Sequence, residues 1–482
     1  MTLDLPIELQ QHVFDFLDPQ SFYASRRVCR SWRHASTPSP SSTVTLKQQL
    51  HRLPIEPSPL SSRLAPERLL SLYNEAAHSL MLGMHVGIAK SEELAPTHTM
   101  DKSKVVLSPD NRHAAALDAD ARQITHHDLT LPDCPVISAR PLNDLRRAVG
   151  GGPWFSPMSR KDFSLALSSD GNLLAVGQDR MVHVYDLASE CNSWPVSSDI
   201  HSATGNSIAG LSFEHNDSLL RVQLSNKGAV IYLGTPKETT PDMGHWKSKE
   251  GLRHTFFDSS TTTVRSSGTW SPVGGRKKFQ GVKLLRPFEN GWLFAAQQHG
   301  GSASSSYCIG HVPVSTVDGH VETAERFAVV LADLPSFLSA YPYTLRAEGL
   351  WSGLPSAQEQ YPGYALSDDN TLLALTEPKF GSEPTNKVFV YRLPCQQQAA
   401  LALKEQSQGP QDEEVDYEDM EEMQEQTYKI HRLPLCLGEI TGEIRNLSFE
   451  TCADGDRAAS AFTCKLQVKT SQQNAVWILT DS

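Results

Sequence analysis

The chain has 482 residues, 39% hydrophobic and 20% charged, with a formal net charge of −12. That is a soluble globular balance, long enough for roughly three average domains or for one large repeat domain beside a small one. Mean hydropathy is −0.35, no run of about 18 apolar residues occurs, and no basic footprint stands out; these exclude a membrane-spanning helix and a general nucleic-acid binder.

The first 36 residues read as three short helices. Pro6 suits a first helical turn, and Leu9, Val13, Phe16 and Leu17 follow at i, i+4, i+7 and i+8 as one apolar face. Asp18-Pro19 stops that helix and starts the next, with Asp18 as N-cap and Pro19 at N1. Phe22 opens the second apolar face. Val28, Cys29 and Trp32 fall on a third helix that Ser36-Thr37-Pro38 ends. So few residues cannot bury a core that stands alone, so this much apolar surface needs a partner.

Leu5-Pro6, Glu8-Leu9, Val13, Phe16-Leu17, Asp18-Pro19, Phe22, Val28-Cys29-Arg30 and Trp32-Arg33 together resemble the F-box. Phe22 stands where that family usually has leucine. The resemblance implies docking on a Skp-type adaptor and, through it, on a cullin and a RING subunit. It also implies an adaptor-binding set of Leu5, Pro6, Leu9, Val13, Phe16, Leu17, Pro19, Phe22, Val28, Cys29 and Trp32. Periodicity alone leaves open a helical hairpin that packs on its own C-terminal domain.

Residues 37–64 are rich in Ser and Pro and read as a boundary. A spacer helix follows from Ala65, with Leu69, Leu72, Tyr73 and Ala76 at helical spacing. From about Lys104 the chain repeats itself. VVLSPDNRHAAALDADARQITHHDL, LALSSDGNLLAVGQDRMVHVYDL and ALSDDNTLLALTEPKFGSEPTNKVFVYRL are clear copies; weaker ones end at Leu233, Val312 and Asp481. Each has a short apolar strand, a Ser-x-Asp-Gly/Asn turn in which Gly or Asn tolerates φ > 0, a buried strand, and an alternating strand. The copies resemble WD repeats in degenerate form, with Tyr-Asp, His-Asp or Tyr-Arg in place of Trp-Asp. The polar network between blades of that family is therefore in doubt. An irregular β-sandwich is the alternative.

The expected fold is mainly β with a small α N-terminal module: a three-helix F-box over 1–36, a Ser/Pro-rich linker and spacer helix over 37–103, and a six- or seven-bladed β-propeller over 104–482. A seventh blade has room at 235–270 or 318–350. NAVWILTD, at the end of the sequence, alternates as a ring-closing strand would. The run Gln411–Gln426 holds nine acidic residues and no Lys or Arg. It reads as a disordered insertion near 405–428.

No GxSxG, HExxH, Walker A loop or kinase set occurs. His126-His127 lies in an alternating strand that points the two rings to opposite faces, and Asp368-Asp369 sits in a repeat turn. The eight cysteines form no CxxC pair. The expectation is a non-catalytic receptor without metal or cofactor, in the cytoplasm or nucleus. It would be the substrate-recognition subunit of an SCF-type ubiquitin ligase or, alternatively, a scaffold in a non-ligase complex that contains the adaptor. Sequence names no protein substrate.

Overall fold

The computed structural model describes residues 6–17, 19–37, 43–52, 65–79, 84–93, 103–131, 133–143, 163–189, 194–200, 207–225, 228–265, 278–289, 291–299, 305–313, 327–335, 362–379, 385–393, 435–442, 444–451 and 463–481. The acidic run lies outside them.

Five helices come first: α1 (Ile7–Phe16), α2 (Pro19–Val28), α3 (Arg30–Ser36), α4 (Thr43–Arg52) and α5 (Pro66–Ser79). α2 begins on Pro19, where the missing N–H costs nothing. Val28 ends α2 and does not open the third helix, because Cys29 is extended (φ −158°, ψ 170°) and stands as the N-cap of α3. Helix α4 corrects the expectation of a plain Ser/Pro-rich boundary. Prolines flank this stretch, but its middle, TVTLKQQLHR, carries Leu46 and Leu50 one turn apart, and both are buried.

The rest is β. The strand β1 (Met84–Glu93) lies inside the stretch expected as linker and spacer. Six sheets are built in chain order. The first is β2 (Ser103–Leu107), β3 (His113–Asp118), β4 (Gln123–Asp128) and β5 (Val136–Pro141). The second is β6 (Ser164–Leu167), β7 (Leu173–Gln178), β8 (Met181–Asp186) and β9 (Val196–Asp199). The third is β10 (Ile208–Glu214), β11 (Leu219–Leu224), β12 (Val230–Gly234) and β13 (Thr255–Asp258), with a short helix α6 (Met243–Lys247) before β13. Next comes β14 (Thr263–Arg265), which joins the edge of the fourth sheet parallel to its last strand. That sheet is β15 (Lys278–Phe288), β16 (Gly291–His299), β17 (Ser305–Pro313) and β18 (Phe327–Pro335). The fifth is β19 (Tyr364–Leu366), β20 (Leu372–Lys379), β21 (Thr385–Arg392) and β22 (Leu435–Thr441). The sixth is β23 (Ile444–Thr451), β24 (Thr463–Thr470) and β25 (Gln473–Asp481), completed by β1, which pairs antiparallel with β25. Each repeat copy in the sequence has become one sheet. Among the described residues there is no seventh: 235–270 supplies α6, β13 and β14, and the described part of 318–350 is β18.

Strands in the middle of a sheet are buried on both faces, so their sequence is continuously apolar. In β7, Leu174 and Val176 pack with Ala115, Leu117 and Ile124 of the first sheet, while Leu173 and Ala175 pack with Leu220 and Val222 of the third. In β20, Leu373 and Leu375 face Tyr307 of the fourth sheet; Leu372 and Ala374 face Leu466 and Trp477 of the sixth. Tyr232 and Phe257 meet Phe294 and Trp292 between the third and fourth. The leading strands touch one another along this series: β2 with β6, β6 with β10, β15 with β19, β19 with β23. Sheets wedged in sequence, each sharing one apolar cluster with the next, and a last sheet completed by a strand from before the first, are the build of a β-propeller.

The Ser-x-Asp turns repeat in atomic detail. Ser108, Ser168 and Ser367 each donate from Oγ to the aspartate two residues on, at 2.6 Å in all three. That aspartate also accepts a backbone N–H two residues further along. Asn111, Gly171 and Asn370 take the left-handed position, at φ 59°, 73° and 59°. Different polar ties join neighbouring sheets. Ser169 N–H and Oγ donate to Asp217, Arg221 Nε donates to the Val282 carbonyl at 3.0 Å, and Arg286 donates to the carbonyls of Ser367 and Asp368.

Candidate protein-docking face

α1 is apolar on two sides. Its inner side carries Phe14, which is fully buried, and Leu17 at its end, which is half-buried. Phe14 meets Phe22 of α2 edge-on at 5.5 Å and Trp32 of α3 at 5.6 Å; Phe22 meets Tyr73 of α5 at 5.5 Å. Leu46 and Leu50 of α4 and Leu69 and Ala77 of α5 close this core. The last carbonyls of a helix lack intrahelical partners. Here Gln49 Nε2 of α4 donates to the carbonyls of Phe14 and Leu17, 3.0 Å each. The Arg26 guanidinium lies 5.1 Å from the centre of the Tyr73 ring. Burial pushes the Tyr73 phenol up and the Arg26 guanidinium down from their ordinary values. Among the described residues the helices therefore complete their core with α4 and α5.

The outer side of α1 stays open. Leu9, Val13 and Phe16, at i, i+4 and i+7, are exposed, Phe16 to 77%. Ile7 extends the stripe at its start, and Val28 (68% exposed) and Cys29 stand exposed at the α2–α3 junction. A stripe of this kind on a small helical unit marks an interaction surface.

The residues expected to bind an adaptor divide accordingly. Pro6, Leu9, Val13, Phe16, Val28 and Cys29 face solvent. Phe22 is buried, and Leu17 and Trp32 are partly buried, all three turned into the module's own core. Pro19 opens α2, and Leu5 lies outside the described residues. Sequence reasoning missed Phe14 and Gln49; only the return of α4 against α1 gives them roles.

In the ring, His126 is buried with its ring 5.3 Å from that of His113, while His127 contacts the Cys134 carbonyl at 3.1 Å. Among the described residues no group of three His, Cys, Asp or Glu is placed to hold a metal ion, and no helix is long and apolar enough to cross a membrane.

No curated protein matches the chain. Among solved structures it is similar to Kuenenia stuttgartiensis hydrazine synthase, with 12% identity and a TM-score of 0.31 over 62% of this chain and 66% of that one, just under two thirds of its length. It is also similar to the WD40 domain of Toxoplasma gondii coronin, with 8% identity and a TM-score of 0.33 over 78% and 68% of the two chains. The β-propeller domain of Cps50 (Swd1) from Myceliophteria thermophila gives 9% identity and a TM-score of 0.28 over 82% and 99%. Scores this low add nothing to what the six sheets establish. Residues 2–39 match the family model described as F-box-like, so the helices that carry the open Leu9–Val13–Phe16 stripe are an F-box-like segment.

Proposed function

We propose that this protein is the substrate-recognition subunit of an SCF-type cullin-RING ubiquitin ligase. The F-box-like helices dock on a Skp-type adaptor, and through it on a cullin, while the propeller binds a protein substrate. The observation that carries this reading is the open apolar stripe on a segment that matches the F-box-like family. The rigid ring supports the second half, since a frame of wedged sheets presents loops at fixed spacing. Ubiquitin transfer belongs to other subunits, and the protein works in the cytoplasm or nucleus.

Affinity purification of the full chain from cells tests this. Recovery of a Skp-type adaptor together with a cullin is expected, and Leu9→Ala/Phe16→Ala should lose both. Recovery of the adaptor without any cullin would instead favour the scaffold reading. Recovery of neither by the folded wild-type chain would refute both.

A further inference from the structure

The leading strands leave a cavity of about 320 Å³ between β10, β15, β19 and β23. It lies at the end of the ring that carries the β10–β11 and β19–β20 turns. Leu366, Leu447 and Phe449 give it apolar walls, and Glu214, Lys283 and Arg286 bring charge.

These charges are not equally available. Glu214 accepts hydrogen bonds from Tyr232 Oη at 2.9 Å and Ser212 Oγ at 3.2 Å. Arg286 is committed to the carbonyls of Ser367 and Asp368, as a brace between the fourth and fifth sheets. The Lys283 side chain is half-buried, and among the described residues its ammonium has no hydrogen-bond or ion-pair partner. Desolvation lowers its pKa, against the attraction of Glu214. A partly desolvated ammonium without a partner costs some free energy that an incoming anion would recover.

We propose that this cavity is a carboxylate-binding site for a partner peptide: an aliphatic carboxylate pairs with Lys283 while its alkyl part lies on Leu366, Leu447 and Phe449. The count of charges selects a carboxylate over a phosphate. One uncommitted cation matches one negative charge, and a dianion would meet the Glu214 carboxylate in the same wall. The apolar walls select a ligand with hydrocarbon beside the charge. The inference rests on the reading of the ring as the partner-binding half. Its test needs no adaptor, so either reading can fail while the other stands.

The probes are N-acetyl-leucine, its uncharged amide N-acetyl-leucinamide, and inorganic phosphate, each with the full chain. Acetylation of Lys283 by a limiting anhydride is followed by mass spectrometry, with the exposed Lys247 as internal reference. A ligand of this size reaches a Kd on the order of 2 mM, so roughly 10 mM should slow Lys283 acetylation about sixfold. Lys247 should be unaffected, and neither the amide nor phosphate should protect Lys283. In saturation-transfer NMR, Lys283→Met should lose the N-acetyl-leucine methyl signal and Lys283→Arg should keep it. If Lys283→Met does not fold, the comparison of the three probes on the wild-type chain still decides. Equal protection by the amide, stronger protection by phosphate, or no protection by N-acetyl-leucine would each overturn the proposal.

Discussion

Phe22→Ala should unfold the helical module, and Phe16→Ala should leave it folded but weaken its docking. Phe22 is fully buried, with Phe14 and Tyr73 edge-on at 5.5 Å on either side. Truncating such a residue costs about 3–5 kcal/mol, the lost transfer energy plus the cavity left behind. A unit of roughly 70 residues has a total stability of about 4–10 kcal/mol. The loss at Phe22 therefore removes a large share of what holds α1 to α5 together. Phe16 is 77% exposed, and a surface change of this kind stays within about 0.5 kcal/mol. As an anchor in an adaptor interface it is worth about 2 kcal/mol, or roughly thirtyfold in affinity. Hydrogen exchange over residues 7–79 reads the first effect, and titration with a purified Skp-type adaptor reads the second. Loss of amide protection in Phe16→Ala would place the stripe in the core and defeat the division into inner and outer faces. Unchanged protection together with unchanged adaptor affinity would show that the stripe is not the docking face.

Gly171 stands at φ 73° in the second sheet's turn, where an added Cβ would lie 2.4 Å from His113 Cγ. Gly171→Ala should cost about 2–3 kcal/mol through the left-handed backbone and this clash, and His113→Ala should restore part of it in urea titrations of the double variant. His126 and His183 are each pushed down to about 4, first by burial and, at His126, then by His113 and His127. Both stay neutral in the fold, while the unfolded chain protonates at its ordinary pKa of about 6.5. Their contribution is complete above that value and is lost as pH falls towards 4, with each costing up to about 2 kcal/mol at pH 5. The thermal midpoint should therefore drop between pH 7 and 5, and the drop should shrink in His126→Leu/His183→Leu; an identical drop in that variant would refute the assignment. Removing Val476–Ser482 strips most of β25 from both β1 and β24 and deletes the buried Trp477 and Leu479. The product should be insoluble or melt far lower, and a soluble product with a wild-type midpoint would show that the closing pair is dispensable.

The ring was legible in sequence because its signals are local. The Ser-x-Asp turn needs a hydroxyl, a carboxylate two residues on, and a residue that tolerates φ > 0, all within four positions. The three clear copies meet that need with the same 2.6 Å bond. What was hidden depends on contacts between distant segments. Ser169 of the second sheet reaches Asp217 of the third, and Arg286 reaches carbonyls more than eighty residues away. No spacing in the sequence announces either. Strand β1 was hidden for the same reason: its partner, β25, lies at the other end of the described residues. In the helices, periodicity gave the stripe but not its direction. Leu17, Phe22 and Trp32 are as apolar as Leu9 and Phe16, and only the return of α4 and α5 determines that the first three turn inward. The sequence bounds the helical module at residue 36. The shared core shows that a cut there would expose Leu46, Leu69 and Tyr73, so a clean cut belongs after Ser79.

The same packing bears on how the two parts are joined. If α1 to α3 were a closed unit, the Ser/Pro-rich stretch would set the distance between the docking face and the ring, and a loose chain spans a wide range of distances. Instead α1 and α2 pack on α4 and α5, through Phe14, Phe22 and Tyr73. The effective tether begins only at Ser79, and β1 begins at Met84. Five fully extended steps reach at most about 18 Å. Beyond them the chain enters β1, whose pairing with β25 completes the last sheet. The strand that closes the ring is thus also the strand on which the helical module is moored. In a ligase, this would hold a ring-bound substrate within a narrow range of distances from the adaptor. Residues inserted between Ser79 and Met84 would then widen that range while leaving the docking stripe and the ring each chemically intact.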